Sequence, residues 1–312
     1  MIEKIILARH YGFCMGVKRA ITIAEETAQD SSTPVNILNE IVHNEAVVDR
    51  FRDQGVGQVF SVGAVPGGTL IISAHGIAPN VIAEAKDRGL NVVDATCPLV
   101  TRIYEIVQKV VAHGFFVIHF GDPSHDETLG VVGQAPDRIT VVASISELAS
   151  LPEWSDRKLG LTCQTTASLD EFVRFQAAAR EKWPHVEIFD TICNATNQRQ
   201  TAIMDLAPHV DLVLVVGSAT SANSRRLAGI SEAICGKGKG HLIGAVKDIR
   251  NEWFSPDQEV RRVGVTAGAS TPDFLVDEVV QKLVEMSGGT AEVTQQEKRE
   301  RGKPSSRQLE CH

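Results

Sequence analysis

The chain has 312 residues, 43% of them apolar, and a formal charge of −8 from 31 basic against 39 acidic side chains. That length accommodates two or three units with real cores, and the acidic balance, with no basic stripe before the tail, excludes a nucleic-acid backbone binder. No run of about 18 apolar residues offers a membrane span, and the N-terminus leads straight to Gly12 and Cys14 without a cleavable signal pattern, so a cytoplasmic protein with no membrane partner is expected.

In chain order, the first strand-like run, from Ile5, gives way at Cys14 to a helical pattern with Val17, Ala20, Ile21 and Ala24 on one face. The same transition recurs at Cys97, followed by Val100, Ile103, Tyr104 and Val107, and again at Cys193. Between these junctions lie TLIISA (69–74), GFFVIHF (114–120), LGLTC (159–163), DLVLVVG (211–217) and RRVGVTA (261–267), several apolar throughout, as parallel strands buried on both faces require. Strands alternate with helices, so the fold class is α/β, in three pseudo-equivalent units around one site. The boundaries fall at 1–96, 97–191 and 192–286, with the partner of the N-terminal strand left open. A polar segment, 287–312, follows and is expected to be largely mobile. GKGKG (236–240) follows a helix, the wrong order for a phosphate loop, and reads as a glycine-rich helix stop.

Spacing ties the three junctions to one site. Polar residues at His43, His125 and Ser221 lie 28 or 29 residues beyond the three cysteines, and a second polar loop follows in each unit: at His75, at Gln164–Thr166 and at Ser270. In open α/β sheets ligands collect beyond the carboxyl ends of strands, so all these segments are expected to face one cavity.

In a reducing compartment six cysteines read as thiols, metal ligands or catalysts before disulfides. A cysteine opening a helix meets free N–H groups and the positive end of the helix dipole, which favour the thiolate that metals bind. Cys163, Cys235 and Cys311 lack this setting and read as ordinary residues. Three cysteines complete no four-thiolate cage, so one metal position stays open to a substrate oxygen, which points to reductive chemistry. His43, His75, Ser221, Asn223 and Ser270 are donors suited to an anion such as a phosphate. His125 and Glu127, two residues apart, point the same way if the backbone is extended, with Glu127 as proton donor; the competing local reading is a helix N-terminus with acidic first-turn residues.

The ordered segments GFCMGVKRA, EIVHNEAVV, SAHGIAP, DATCPLVT, HDET, QTTASLDE, DTICNAT, GSATSANS and TAGASTPD resemble the 4-hydroxy-3-methylbut-2-enyl diphosphate reductase family, from about Ile5 to Leu275. The resemblance implies a three-domain trefoil around one [4Fe-4S] cluster held by Cys14, Cys97 and Cys193, with the apical iron open to the substrate. It also implies that His43, His75, Ser221, Ala222, Asn223 and Ser270 bind the diphosphate, and that His125, Glu127 and Thr165 surround the allylic hydroxyl. The implied partner is a ferredoxin or flavodoxin type electron donor. Ala222 stands where many relatives carry a second serine, and the tail is polar where many carry an apolar strand. Those departures motivate a second reading, a catalytically weak paralogue that binds a diphosphate or senses oxygen or iron. A structural zinc protein would explain the cysteines alone.

Overall fold

The computed structural model describes residues 2–297. The chain runs β1 (Lys4–Leu7), α1 (Met15–Asp30), β2 (Val35–Leu38), α2 (Glu45–Asp53), β3 (Gly57–Val59), β4 (Thr69–Ile72), α3 (Pro79–Asp87) and β5 (Asn91–Asp94). It continues through α4 (Pro98–Ala112), β6 (Phe116–Phe120), α5 (Asp126–Val132), β7 (Ile139–Val142), α6 (Ile145–Ser150), β8 (Leu159–Cys163), α7 (Leu169–Lys182) and β9 (Glu187–Ile188). The last stretch holds α8 (Asn194–Leu206), β10 (Leu212–Val216), α9 (Ala222–Cys235), β11 (Gly240–Ile243), β12 (Arg262–Ala267), α10 (Asp273–Met286) and β13 (Glu292–Gln295).

Among the described residues all ladders are parallel, in three sheets ordered β3-β2-β4-β5, β7-β6-β8-β9 and β11-β10-β12-β1-β13. Aligning the orders exposes the repeat: β5, β9 and β1 occupy the same fourth place, and each leads into a cysteine and a helix. The N-terminal strand, grouped by sequence with residues 1–96, therefore belongs to the third sheet, where Ile5 pairs with Val263. Strand pairing is a non-local choice, and β12 offers the open edge that β1 fills. Each cysteine thus lies at a crossover from one unit to the next.

The core follows the sequence pattern. β4, β8 and β10 are buried along their whole length, and helices cover both sheet faces. Val17, Ala20, Ile21 and Ala24 are the buried residues of α1, as their spacing predicts. In α4 the buried set is Val100, Ile103, Val107 and Val110, while Tyr104 is only half-buried and its hydroxyl reaches the His75 carbonyl. Each fully buried aliphatic side chain contributes roughly 1.5–3 kcal/mol.

The polar tail departs from expectation in part. Residues 292–295 form the edge strand β13 on β1, although only Thr294 among them is half-buried. Main-chain bonds carry this strand, and Gln296 fastens it: its N–H donates to the Leu7 carbonyl and its side chain accepts from the Arg9 N–H. The remainder, 298–312 with Cys311, lies outside the described residues. α9 stops at Gly236, whose φ of 104° favours glycine, as the reading of GKGKG expects. Among the described residues no helix is long and apolar enough to cross a membrane.

Candidate active site

Cys14, Cys97 and Cys193 are the N-caps of α1, α4 and α8, each with extended backbone. The Val17 N–H donates to Cys14 Sγ at 3.5 Å and the Thr196 N–H to Cys193 Sγ at 3.3 Å, so these sulfurs take the place of the usual serine or aspartate cap. All three thiols line one cavity and none forms a disulfide. A side chain at Gly16 would overlap Cys97 Sγ, which is how closely α1 and α4 approach. Cys163 instead accepts from the buried Thr191 hydroxyl, and Cys235 sits at the far end of α9.

The expected lowering of the thiol pKa does not hold for Cys97 and Cys193. Burial pushes Cys97 and Cys193 up, outweighing the backbone N–H groups of Leu99 and Val100 and the Thr196 contacts that pull them down. In a low dielectric, a few oriented amides do not balance a bare thiolate; a cation held between the sulfurs would.

The same cavity wall carries His43, His75, His125, Glu127, Thr165, Ser221, Ala222, Asn223 and Ser270, so all twelve site residues expected from sequence meet in one place. The imidazoles of His43 and His75 stack at 4.0 Å, with His125 edge-on at 5.3 and 5.6 Å. Their ring nitrogens lie within 4.8 Å of one another, close enough to suggest a metal. The hydrogen bonds favour an anion instead. His125 Nδ1 accepts from the Glu127 N–H at 3.1 Å, which leaves its proton on Nε2, a donor. Burial, with the neighbouring imidazoles adding to it, holds His75 well below its ordinary pKa, and it holds His125 at about 4; an anion would reverse both effects.

Nε2 of His43, Nε2 of His75 and both amide atoms of Asn223 are buried with no hydrogen-bond partner among the described residues. Native proteins rarely leave such groups orphaned, so this cluster marks a ligand's position. Its frame is rigid. His43 Nδ1 is 2.9 Å from Glu40 Oε2, Ser270 Oγ donates to the His43 carbonyl at 2.9 Å, and Ser221 caps α9 by accepting from the Ser224 N–H at 3.3 Å.

The backbone at 125–127 is not extended throughout. His125 caps α5 and Glu127 lies in its first turn, as the competing local reading had it, yet the carboxyl turns inward and is only 2% exposed. It accepts the Thr165 N–H at 2.6 Å and the Thr165 hydroxyl at 2.5 Å. Burial raises its pKa from 4.5 to about 7 despite both bonds, leaving a carboxyl poised to give up a proton near neutrality.

Sequence reasoning missed Glu40, Thr196, Arg199 and Gln200. Glu40 and Thr196 carried a local signal, three residues before His43 and three after Cys193. Arg199 and Gln200 reach segments far away in the chain and carried none.

Three parallel α/β units whose cysteine-capped helices converge on one polar cavity define a trefoil α/β protein with a shared thiol-lined centre. The chain belongs to the LytB protein family, whose model matches residues 5–284. It is 40% identical to the 4-hydroxy-3-methylbut-2-enyl diphosphate reductase of Haemophilus influenzae (strain PittGG) over 298 residues, 94% of this chain and 93% of that one. It is 38% identical to the protein of the same name from Geobacter metallireducens, over 91% of this chain and 98% of the relative. Among solved structures it resembles the E-1-hydroxy-2-methyl-but-2-enyl-4-diphosphate reductase of Plasmodium falciparum, with a TM-score of 0.90 and 30% identity over 96% and 94% of the two chains. A second structure, of (E)-4-hydroxy-3-methyl-but-2-enyl diphosphate reductase, the terminal enzyme of the non-mevalonate pathway, aligns with a TM-score of 0.65 and 34% identity over 91% of this chain and 100% of the other.

Proposed function

We propose that the chain carries out the reaction of its named relatives: the two-electron reductive removal of the hydroxyl from 4-hydroxy-3-methylbut-2-enyl diphosphate, giving isopentenyl or dimethylallyl diphosphate and water. The observation that carries this reading is the convergence, in one cavity, of three thiols from helix N-termini, a buried carboxyl and a cluster of orphaned imidazole and amide groups.

Cys14, Cys97 and Cys193 are the residues that would hold an iron–sulfur cluster. They are soft donors from three helix N-termini, free of disulfide pairing, with no fourth thiol on the cavity wall among the described residues. Bound there, such a cluster would supply electrons and a Lewis-acidic iron for the substrate oxygen. His43, His75, Ser221, Asn223 and Ser270 bind the diphosphate by donating to its oxygens, with the N–H groups of Ala222 and Asn223 opening α9 toward the anion. Thr165 orients the allylic hydroxyl while bonded to Glu127, and His125 donates beside it. Glu127 delivers the proton with which the hydroxyl leaves as water; a second proton, added at either end of the allylic skeleton, decides which product forms.

Electrons enter from the opposite side. Met15, Pro98 and Asn194, each the residue after a cysteine, are exposed, so the thiols lie just beneath a face that also carries Lys18 and Arg19. A small acidic carrier of the ferredoxin or flavodoxin type suits that face.

Anaerobically purified protein is expected to be brown and to oxidise a reduced viologen dye only when given the allylic diphosphate. Colourless protein that holds zinc after cluster reconstitution would overturn the reading.

A further inference from the structure

Arg199 lies on α8, six residues after Cys193, and is 5% exposed. Its Nη2 donates to the Gly12 carbonyl at 2.5 Å and its Nη1 to the Ala195 carbonyl at 3.0 Å. Gly12 stands two residues before Cys14 and Ala195 two residues after Cys193, so one guanidinium joins the segments that carry two of the three thiols. Gly12 has a φ of +71°, and a Cβ there would collide with the Asp273 carboxylate, which therefore also lies beside this junction.

The neighbouring residue does the same toward the second unit. Gln200 Nε2 donates to the Ala167 carbonyl at 2.9 Å and its Oε1 accepts the Leu169 N–H at 2.9 Å, close to Thr165 in the chain. Consecutive residues of one helix thus fasten the third unit to the site loops of the other two.

The charge needs a further account. A guanidinium stays protonated in proteins, and burying one without an anion is unfavourable. Two carbonyls satisfy part of Arg199, yet its Nε is buried with no partner among the described residues. The guanidinium lines one outer cavity with Cys14, Cys97 and Cys193 and with Asp273, whose carboxylate is at the exposed start of α10. Neutral thiols would not serve as counter-charge; thiolates that carry a cluster would.

We propose that Arg199 is a positioning residue of the thiol site, holding the Cys14 segment against the Cys193 segment and keeping one permanent positive charge beside an anionic iron–sulfur group. This rests on the iron–sulfur reading above. A fixed cation next to a redox centre stabilises its electron-richer state and so raises its reduction potential. Arg199 lines the outer cavity and not the inner one, so substrate binding should not depend on it.

The test compares wild type, R199K and R199Q as full-length chains reconstituted anaerobically, measuring iron content, midpoint potential by EPR-monitored titration, and KM. Lysine keeps the charge without the fork that spans two carbonyls; glutamine loses the charge. The expected result is lowered iron retention in both variants, a more negative potential in R199Q only, and an unchanged KM. An R199Q cluster with wild-type potential overturns the proposal. If R199Q does not accumulate as folded protein, R199K decides: reduced iron retention at wild-type potential supports the proposal, and full retention or a displaced potential overturns it. A wild-type chain that takes up no iron overturns the iron–sulfur reading itself, a different failure from an unmoved potential in an iron-loaded variant.

Discussion

Replacing Glu127 with glutamine separates the proton from the shape of the site. Glutamine keeps the volume, offers an oxygen to the Thr165 N–H and an N–H to Thr165 Oγ, and removes only the ionisable group. Glu127 has a folded pKa of about 7 against 4.5 when unperturbed, because burial penalises the carboxylate. The sign follows from proton counting: between those values the folded chain holds a proton that the unfolded chain has lost, so stability falls as pH rises. What the neutral carboxyl contributes is fully present below pH 4.5 and gone above about 7, at about 1.4 kcal/mol per unit, or about 3 kcal/mol in all. E127Q has no such term. Urea unfolding of the metal-free, reduced chain should therefore show a variant that matches wild type near pH 4.5 and exceeds it by about 3 kcal/mol above pH 7. Anaerobic turnover of the loaded protein should fall by roughly 10²–10⁴, the usual contribution of a general acid, with KM little changed. A stability difference that stays flat across the pH window, or turnover within tenfold of wild type, would refute the assignment of Glu127 as a buried proton donor.

Thr165→Val removes the hydroxyl bond that lowers the Glu127 pKa, so the pH–rate profile should move to higher pH and turnover should drop by roughly a hundredfold; an unmoved profile would disconnect the two residues. Gly16→Ala drives a methyl group into Cys97 Sγ and should cost about 1–3 kcal/mol of unfolding free energy in urea titration while abolishing iron retention, which colorimetric iron analysis checks. Ala222→Ser adds a hydroxyl at the first position of α9 on the cavity wall, and one extra hydrogen bond of about 1 kcal/mol should lower the KM for the diphosphate roughly fivefold. Asn223→Ala should weaken competitive inhibition by inorganic pyrophosphate by about tenfold, measured against the same dye assay, because both of its orphaned amide atoms face the ligand position.

Much of this protein is legible in its sequence because the signals are short-range. A thiol that accepts from the N–H three residues on, as at Cys14 and Cys193, is a local event, and so is the apolar face of α1. Repeating those events at 28- and 29-residue spacing toward His43, His125 and Ser221 pointed these segments at one cavity, and the family resemblance completed the set of twelve that line one wall. The tertiary structure decided what depends on a distant partner. Sequence cannot show that β1 completes the third sheet, since any open parallel edge would satisfy its backbone and only the assembled fold leaves β12 available. Nor can it show that a polar segment still makes the strand β13, because main-chain bonds to β1 and the Gln296 contacts replace the missing apolar face. The inward turn of Glu127 from a helix start, and the reach of Arg199 and Gln200 to Gly12 and Ala167, belong to the same class. Caps and periodicities are set within about a turn of backbone, whereas desolvation, charge compensation and strand partnership exist only once the three units have closed around their shared centre.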